Sequence, residues 1–239
     1  MRASLPVVLM LMAFGPGAAQ SENRYYPGNR PPLAPSPLIK LPIGAIQPQG
    51  WLRTQLQLEA NGFSGHLSDI SQYCKFEGSA WVTPGSTEHG WEEAPYWLKG
   101  FSDLGFVLGD GRIIAEARKW LDAVLANQRS DGYFGSPANL GIRRGEEPEM
   151  RADRPNRVID VWPNMIMLYP LRSLYEATGD PRVIPFMLKY FEWQRSIPRD
   201  AFLPASWQKY RGGDNLDSIY WLYNRTGQAW LLDLARGKP

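Results

Sequence analysis

The sequence predicts an all-α fold in which inner and outer helices alternate, as in part of an α/α toroid. Similar turns recur around Gly109, Gly179 and Gly227, where a glycine ends one helix and a new apolar pattern begins. The segment before each turn is apolar nearly all round, whereas the segment after it is amphipathic. Enclosed helices that alternate with surface helices are typical of two concentric rings. A solenoid is the alternative, which the irregular spacing of the turns disfavours.

Length and composition set the first limits on function. The chain has 239 residues, enough for one domain or two small ones, and its 44% hydrophobic content excludes general disorder. The net charge of +2 favours neither nucleic acid nor acidic membranes as partners. One cysteine excludes internal disulfides and multi-cysteine metal cages. Ten Trp and eleven Tyr supply amphipathic rings that often line wet, ligand-facing surfaces.

The first forty residues are predicted to serve export. Residues 1–20 have a charged start at Arg2, a short apolar run at Leu5–Phe14 and small residues at Gly17–Ala19, the pattern of a secretory signal. A buried helix is the alternative, and the run is too short to span a bilayer. Residues 21–40 are a Pro-rich leader, a strap or spacer. We expect a periplasmic or extracellular protein that leaves the membrane once the signal is removed.

The helices follow from periodicity along the chain. A first helix is predicted at Gln49–Asn61. The enclosed helices are predicted at Ala94–Leu108, Val161–Tyr175 and around Ile219–Tyr223. Amphipathic surface helices follow each of the three turns, with charged residues between the apolar positions.

One face of this arrangement is predicted to bind a ligand. The connections from surface to enclosed helices, about residues 129–159 and 197–215, are long, and long loops in compact domains usually have a function. They emerge where the enclosed helices begin, at segments rich in acids and aromatic rings. Aromatic rings stack on the C–H faces of sugars, and carboxylates bind hydroxyls and act as acid or base at a glycosidic oxygen. The pattern therefore indicates a carbohydrate site.

The candidate residues lie at these helix starts and in the long loops. The catalytic candidates are Glu92, Glu93 and Asp214. The substrate-binding candidates are Trp91, Tyr96, Trp97, Asp131, Tyr133, Asp160, Trp162 and Asn215. Each has a structural alternative, because acids cap helix N-termini, tryptophans fill cores and Asp-Gly pairs form turns. Adjacent Glu92 and Glu93 point in different directions on a helix, so at most one of them faces the cleft.

The sequence itself predicts no metal site and no cofactor. His66 and His89 have no partner at a ligand spacing, and no Gly-rich phosphate loop precedes a lysine. Cys74 is expected to be buried, paired with another chain, or bound to something supplied elsewhere.

Several motifs resemble those of a known family. The run Leu41–Leu52 (LPIGAIQPQGWL) resembles the N-terminal signature of the family 127 glycoside hydrolase-like proteins, the β-L-arabinofuranosidase group. The stretches Gly62–Leu67, Gly90–Lys99, Gln128–Gly135 and Gly212–Thr226 are similar to its divergent secreted members. The resemblance implies an (α/α)6 barrel, usually followed by β-sandwich domains. It also implies hydrolysis of glycosidic bonds in poly- or oligosaccharides, with arabinofuranosides among the candidate substrates.

The same resemblance implies a cysteine nucleophile held by zinc, glutamate ligands and a glutamate acid/base. Tyr73-Cys74-Lys75 does not match the family's clustered cysteines, so no nucleophile or zinc ligand is assigned. Zinc is expected only if a C-terminal part supplies those cysteines. A complete ring has twelve helices and about seven are predicted. Residues 41–239 are therefore expected to be an N-terminal part, a partial (α/α)6 toroid, with the missing half or a second copy as partner.

Two other functions fit the same pattern. A non-catalytic remnant or sugar-binding module would bind sugar without turnover. A polysaccharide lyase would need a Tyr or His base, for which Tyr96, Tyr133 and His66 are available.

Overall fold

The computed structural model describes residues 27–143, 157–204 and 206–237. The predicted signal at 1–20 and the first part of the leader, 21–26, lie outside these residues. The described part contains eight α-helices: α1 Gly50–Asn61, α2 Phe63–Ile70, α3 Glu93–Leu108, α4 Gly111–Ala126, α5 Trp162–Thr178, α6 Val183–Arg195, α7 Ser206–Thr226 and α8 Trp230–Ala235. Short 3-10 turns lie at Gln72–Cys74 and Pro137–Leu140. The all-α prediction is confirmed for these residues.

A pair of two-residue strands interrupts the long connection between α4 and α5. Strand β1 (Ile142–Arg143) pairs antiparallel with β2 (Arg157–Val158). The register places Ile142 opposite Val158 and Arg143 opposite Arg157. This short pair joins the two ends of the connection just before α5 begins.

The recurring glycines are helix-to-helix turns, as predicted. Gly109 and Gly179 end α3 and α5 in the left-handed conformation, with φ of 68° and 70°, which glycine adopts without strain. Asp110 then caps α4, because its side chain accepts hydrogen bonds from the backbone N–H groups of Arg112 and Ile113. Gly227, with φ of 70°, makes the corresponding turn between α7 and α8.

The helices pack in two rows. α5 lies against both α3 and α7, whereas α4 packs on α3 and α5, α6 on α5 and α7, and α8 on α7. Tyr169 on α5 donates a hydrogen bond to Asp214 on α7 at 2.8 Å. About two turns further along both helices, Trp221 donates to Glu176 at 2.7 Å, so α5 and α7 run parallel. We call α3, α5 and α7 the inner row and α4, α6 and α8 the outer row.

In the inner row, α3 and α5 are deeply buried, whereas α7 is buried mainly over Ser218–Tyr223. Almost the whole length of α5 is inaccessible to solvent, including polar positions such as Asn164 and Arg172. The outer helices bury one stripe and expose the opposite face; the buried stripe of α4 consists of Ile113, Ala117, Trp120, Leu121 and Val124. Each large apolar side chain buried this way contributes about 1.5–3 kcal/mol. The predicted alternation of enclosed and surface helices therefore holds for α3, α4, α5 and α6, whereas the first three turns of α7 are mostly exposed or half-buried.

The predicted start of the third enclosed helix is wrong. Residues 197–215 were expected to be a loop with the helix beginning near Gly212–Asp217, whereas α7 begins at Ser206 and runs through both glycines. Tertiary contacts outweigh the low helix propensity of this stretch. Buried Gln208 donates to Asp160 at 3.2 Å, and buried Asn215 exchanges hydrogen bonds with Gln194 at 2.8 and 3.0 Å.

The described part of the leader lies against α5 and α7. The backbone N–H of Arg30 donates to Asn224 at 3.0 Å, and the Tyr223 hydroxyl donates to the carbonyl of Pro31. Lys40 forms an ion pair with Glu176 at 3.3 Å. Within the described residues, every helix is too short or too polar to cross a membrane.

Candidate functional site

Side chains from the first halves of the inner helices, and from the segment before α3, lie close to one another. They combine flat aromatic rings with acids and bases from α3, α5, α7 and the segment before α3. We call this set the site cluster; it consists of Trp91, Glu92, Tyr96, Lys99, Trp162, Tyr169, Trp207, Arg211 and Asp214.

Glu92 is held at the start of α5 by an indole. The Nε1–H of Trp162 donates to a carboxylate oxygen of Glu92, a neutral donor on a half-buried acid. The ring of Tyr96, one turn along α3, lies 6.0 Å from the Trp162 ring between centroids. Tyr96 is 46% exposed, so solvent and ligands can reach it.

Arg211 rests on the aromatic rings of the cluster. Its guanidinium carbon lies 4.6 Å from the centroid of the Trp162 ring and 5.2 Å from that of Trp207. Trp207 in turn meets Trp91 edge to face at 6.3 Å. Cation–π contacts of this kind orient a guanidinium without consuming its N–H donors.

Asp214 occupies the adjacent part of the cluster. It accepts a hydrogen bond from the hydroxyl of Tyr169 at 2.8 Å. The Lys99 ammonium lies 4.0 Å from the centroid of the Tyr169 ring. Burial raises the pKa of Tyr169 and its hydrogen bond to Asp214 raises it further, so the phenol remains a proton donor to the carboxylate.

Charged groups just before α3 and on α7 shift the pKa of Tyr96. Burial raises the pKa of Tyr96, and the carboxylates of Glu92 and Asp214 raise it further, whereas the Arg211 guanidinium lowers it. Such coupling requires proximity. The half-exposed Tyr96 phenol therefore interacts electrostatically with Glu92 before α3 and with Arg211 and Asp214 on α7.

Asp160 is a buried acid that is hydrogen-bonded to residues of the site cluster. It is 1% exposed and accepts hydrogen bonds from the indole of Trp91 at 3.1 Å and the backbone N–H of Trp162 at 3.0 Å. Gln208 on α7 donates to it at 3.2 Å. Asp160 thus positions two aromatic residues of the cluster and joins three of its segments.

Two predicted aromatic site residues lie in the core instead. Trp97 is 7% exposed, stacks 4.7 Å from Phe101 and donates its indole N–H to the carbonyl of Ser64. Tyr133 is fully buried and donates its hydroxyl to the carbonyl of Ser136 at 2.7 Å. The structure does not bring either ring to the site cluster.

Three predicted polar residues also lie outside the cluster. Asn215 follows Asp214 but points into the core, where it pairs with the side chain of Gln194. Asp131 is in an exposed turn, paired with Arg129 at 2.7 Å. Burial raises the pKa of the Cys74 thiol and the charge of Glu93 raises it further, whereas Glu92 accepts a hydrogen bond from Trp162. The two adjacent glutamates therefore face different surroundings.

The sequence did not single out Arg211, Lys99 or Tyr169. Arg211 fell in a segment predicted to be a loop. Lys99 lies one turn after Tyr96 on α3, a spacing that places both on one face. Tyr169 is a polar-tipped residue within an otherwise apolar helix, which indicates a buried hydrogen-bond partner.

The zinc-held cysteine implied by the family resemblance does not fit this part of the chain. Cys74 is 2% exposed, and burial raises the pKa of its thiol, which disfavours the thiolate needed for zinc binding or nucleophilic attack. Within the described ranges, no three His, Cys, Asp or Glu side chains are grouped so as to hold a metal ion.

Comparison with known proteins gives one match. The family model described as Beta-L-arabinofuranosidase, GH127 catalytic domain, matches residues 46–237, which is more than half of the chain. No curated protein and no solved structure matches. The matched range contains every residue of the site cluster.

Proposed function

The chain belongs to the GH127 β-L-arabinofuranosidase catalytic domain family, and on this premise we propose that it is an exported glycoside hydrolase. The match confirms the resemblance found in the sequence motifs and relates the chain to enzymes that act on carbohydrate. We propose poly- or oligosaccharides as its substrates, with arabinofuranosides to be tried first. The proposed place of action is the periplasm or the extracellular space.

The proposed architecture is a partial (α/α)6 toroid. The two packed rows support it, because inner helices that share a direction and alternate with outer helices are the repeating unit of such a ring. The described residues supply three helices to the inner row. Further helices, from a longer chain or from a second copy, would complete the ring.

The proposed chemistry uses two carboxyl groups. Glycoside hydrolysis requires an acid that protonates the leaving oxygen and a second carboxylate that acts as base or nucleophile. Glu92 and Asp214 are the acidic members of the site cluster, and the observation that carries this assignment is their placement by rings of one helix: Trp162 of α5 donates to Glu92, and Tyr169 of the same helix donates to Asp214 at 2.8 Å. No step is assigned to Cys74.

The aromatic rings supply the sugar-binding surface. The half-exposed Tyr96 ring lies beside Trp162, while Trp91 and Trp207 form the adjoining wall. Apolar ring faces bind the C–H faces of a sugar and exclude water from the bond that is cleaved. Asp160 keeps Trp91 and Trp162 in place, so its role is positioning.

Replacement of the two carboxylates tests the proposal. In Glu92→Gln and Asp214→Asn we expect kcat to fall about 100-fold or more, because acid–base catalysis is lost while the side-chain volume is kept. The matched control is Asp131→Asn, which lies outside the cluster. The assay measures pentose release from nitrophenyl arabinofuranosides and reducing ends from arabino-oligosaccharides. Full turnover in both variants would remove the catalytic assignment.

A sugar-binding module is the second candidate, favoured by the unsuitable environment of Cys74. It predicts that the wild-type chain binds arabino-oligosaccharides in calorimetry and releases no sugar. Turnover by the wild-type chain would exclude this candidate.

A further inference from the structure

Two cations in the site cluster are not neutralised by its carboxylates. Arg211 is exposed and Lys99 half-buried, and neither forms an ion pair within 4.0 Å in the described part of the chain. Each contacts an aromatic face instead, Trp162 for Arg211 and Tyr169 for Lys99. The ammonium and the guanidinium are therefore oriented by rings and keep their hydrogen-bond donors.

The carboxylates of the cluster are also bound by neutral groups. Glu92 accepts from the indole of Trp162, and Asp214 accepts from the phenol of Tyr169. The same two rings thus hold an acid at their polar atom and a cation at their face. In the described part of the chain, Glu92 and Asp214 form no ion pair with Arg211 or Lys99, so the aromatic groups are the contact partners of all four charges.

This separation has a consequence for ligand choice. Lys99 already interacts with the half-buried Asp103 one turn further along α3, so Arg211 is the cation that a ligand would have to satisfy. A neutral sugar that covers Arg211 would remove water from the guanidinium without returning a counter-charge, which disfavours binding. A ligand with its own carboxylate would restore the lost hydration, because a guanidinium fork matches a carboxylate in shape and charge. The carboxylates of Glu92 and Asp214 would remain available to the glycosidic bond.

We infer that the substrate is an acidic sugar: a glycan with a uronate-type carboxylate on the ring bound at Trp162, where Arg211 binds that carboxylate. The inference rests on the proposed function for the carbohydrate nature of the ligand and for hydrolysis. It adds the charge of the sugar and the residue that recognises it.

Binding to matched acid and ester probes tests the inference. The probes are trimers of galacturonate and of glucuronate and the methyl esters of both, titrated by calorimetry into full-length protein carrying Glu92→Gln to prevent turnover. We expect at least one acid to bind about tenfold or more tightly than its ester, the range of a hydrogen bond to a charged group. Equal binding of acid and ester in both pairs would overturn the inference.

Charge removal at Arg211 identifies the residue responsible. Arg211→Gln should reduce the acid-to-ester ratio to about one, and Arg211→Lys should leave a smaller preference, because lysine keeps the charge but loses the planar fork. The matched control is Lys209→Gln, which removes an exposed charge two residues earlier on α7 and should keep the full ratio. An unchanged ratio in Arg211→Gln would overturn the assignment.

Product analysis separates this inference from the proposed function. Turnover of neutral arabinofuranosides with no acid preference would overturn the acidic-sugar inference and leave the hydrolase in place. Acid preference that depends on Arg211, with no sugar released by the wild-type chain, would support the inference and overturn the hydrolase.

Elimination is the remaining product outcome. A base would take the proton from the carbon next to the carboxylate, and a carbon–carbon double bond would form as the bond to the glycosidic oxygen breaks. The leaving oxygen would take its proton from the protonated base or from water. Tyr96 and Arg211 both lie beside the Trp162 ring, at 6.0 Å and 4.6 Å from its centroid, which is the pairing of base and charge neutraliser that a lyase needs. An unsaturated product, detected by its ultraviolet absorbance, would support the acidic sugar and overturn hydrolysis.

Discussion

The charged side chains at the two ends of the α5–α7 pair have different kinds of partner. At the end where the helices begin, Trp162 separates Glu92 from Arg211, and neither charge is neutralised by the other. At the far end, Glu176 accepts hydrogen bonds from Trp221 at 2.7 Å, Lys40 at 3.3 Å and Arg225 at 3.5 Å. Its side chain is only 2% exposed.

The contrast distinguishes charges that stabilise the fold from charges that remain available to a ligand. A buried acid surrounded by cations is satisfied internally, so its loss is expected to affect stability. An accessible acid or base held by an aromatic group still has capacity for an external partner, so its loss is expected to affect function. We call these the paired end, around Glu176, and the site end, around Trp162.

The largest stability effect is expected from Glu176. Burial lowers the pKa of Arg225 to about 10, and Glu176 is the acid that opposes this effect. Glu176→Gln leaves that guanidinium buried without a counter-charge, which should reduce the free energy of unfolding by about 3 kcal/mol or more. Urea denaturation measures the change, with Glu92→Gln at the site end as control. Equal free energies of unfolding for the two variants would contradict the proposed difference between the ends.

A smaller loss of stability is expected when the Arg172–Asp217 ion pair, which lies between the two ends, is removed. Arg172 is 5% exposed and pairs with Asp217 at 2.6 Å, but Asp217 is 55% exposed. Solvent screening weakens the contribution of this pair, so Asp217→Asn should reduce the free energy of unfolding by about 1 kcal/mol. The same denaturation assay measures it. A loss as large as that from Glu176→Gln would show that burial of one partner alone sets the effect.

The smallest effect is a pH dependence at the paired end. Hydrogen bonds from Arg182 lower the pKa of Asp180, just after α5, with Nε–Oδ1 at 2.9 Å. A lowered pKa stabilises the fold above the unfolded-state value, near pH 4, and this gain is lost as the pH falls through the folded-state pKa. The stability difference between wild type and Asp180→Asn should stay constant from pH 7 to about 5 and shrink below it. A difference that grows towards low pH would contradict the assignment.

Local patterns were sufficient to predict the three glycine turns and the helices on either side of the first two. Gly109 and Gly179 stand where only a left-handed residue continues the chain easily, and the apolar spacing after Asp110 defines a half-exposed helix. The start of α7 was missed because its residues favour a loop when considered alone. Buried contacts such as Gln208 with Asp160 stabilise that helix, and they depend on residues distant in sequence.

The structure brings some of the predicted site residues together and places others in the core. Acids and aromatic rings at helix starts led to Glu92, Tyr96 and Trp162, which the structure brings together. Trp97 is one residue from Tyr96 but lies on the core side of α3, a difference that composition does not reveal. Arg211 joins the cluster only because α7 is helical through it.

The most direct test measures turnover and unfolding free energy in the same two variants, Glu92→Gln and Glu176→Gln, with arabino-oligosaccharides and uronate oligomers as substrates. The account predicts that Glu92→Gln loses turnover and keeps its stability within about 0.5 kcal/mol of the wild-type chain. It predicts that Glu176→Gln loses stability and, at a temperature where it remains folded, keeps turnover. Full turnover in Glu92→Gln, or unchanged stability in Glu176→Gln, would contradict the division between the site end and the paired end.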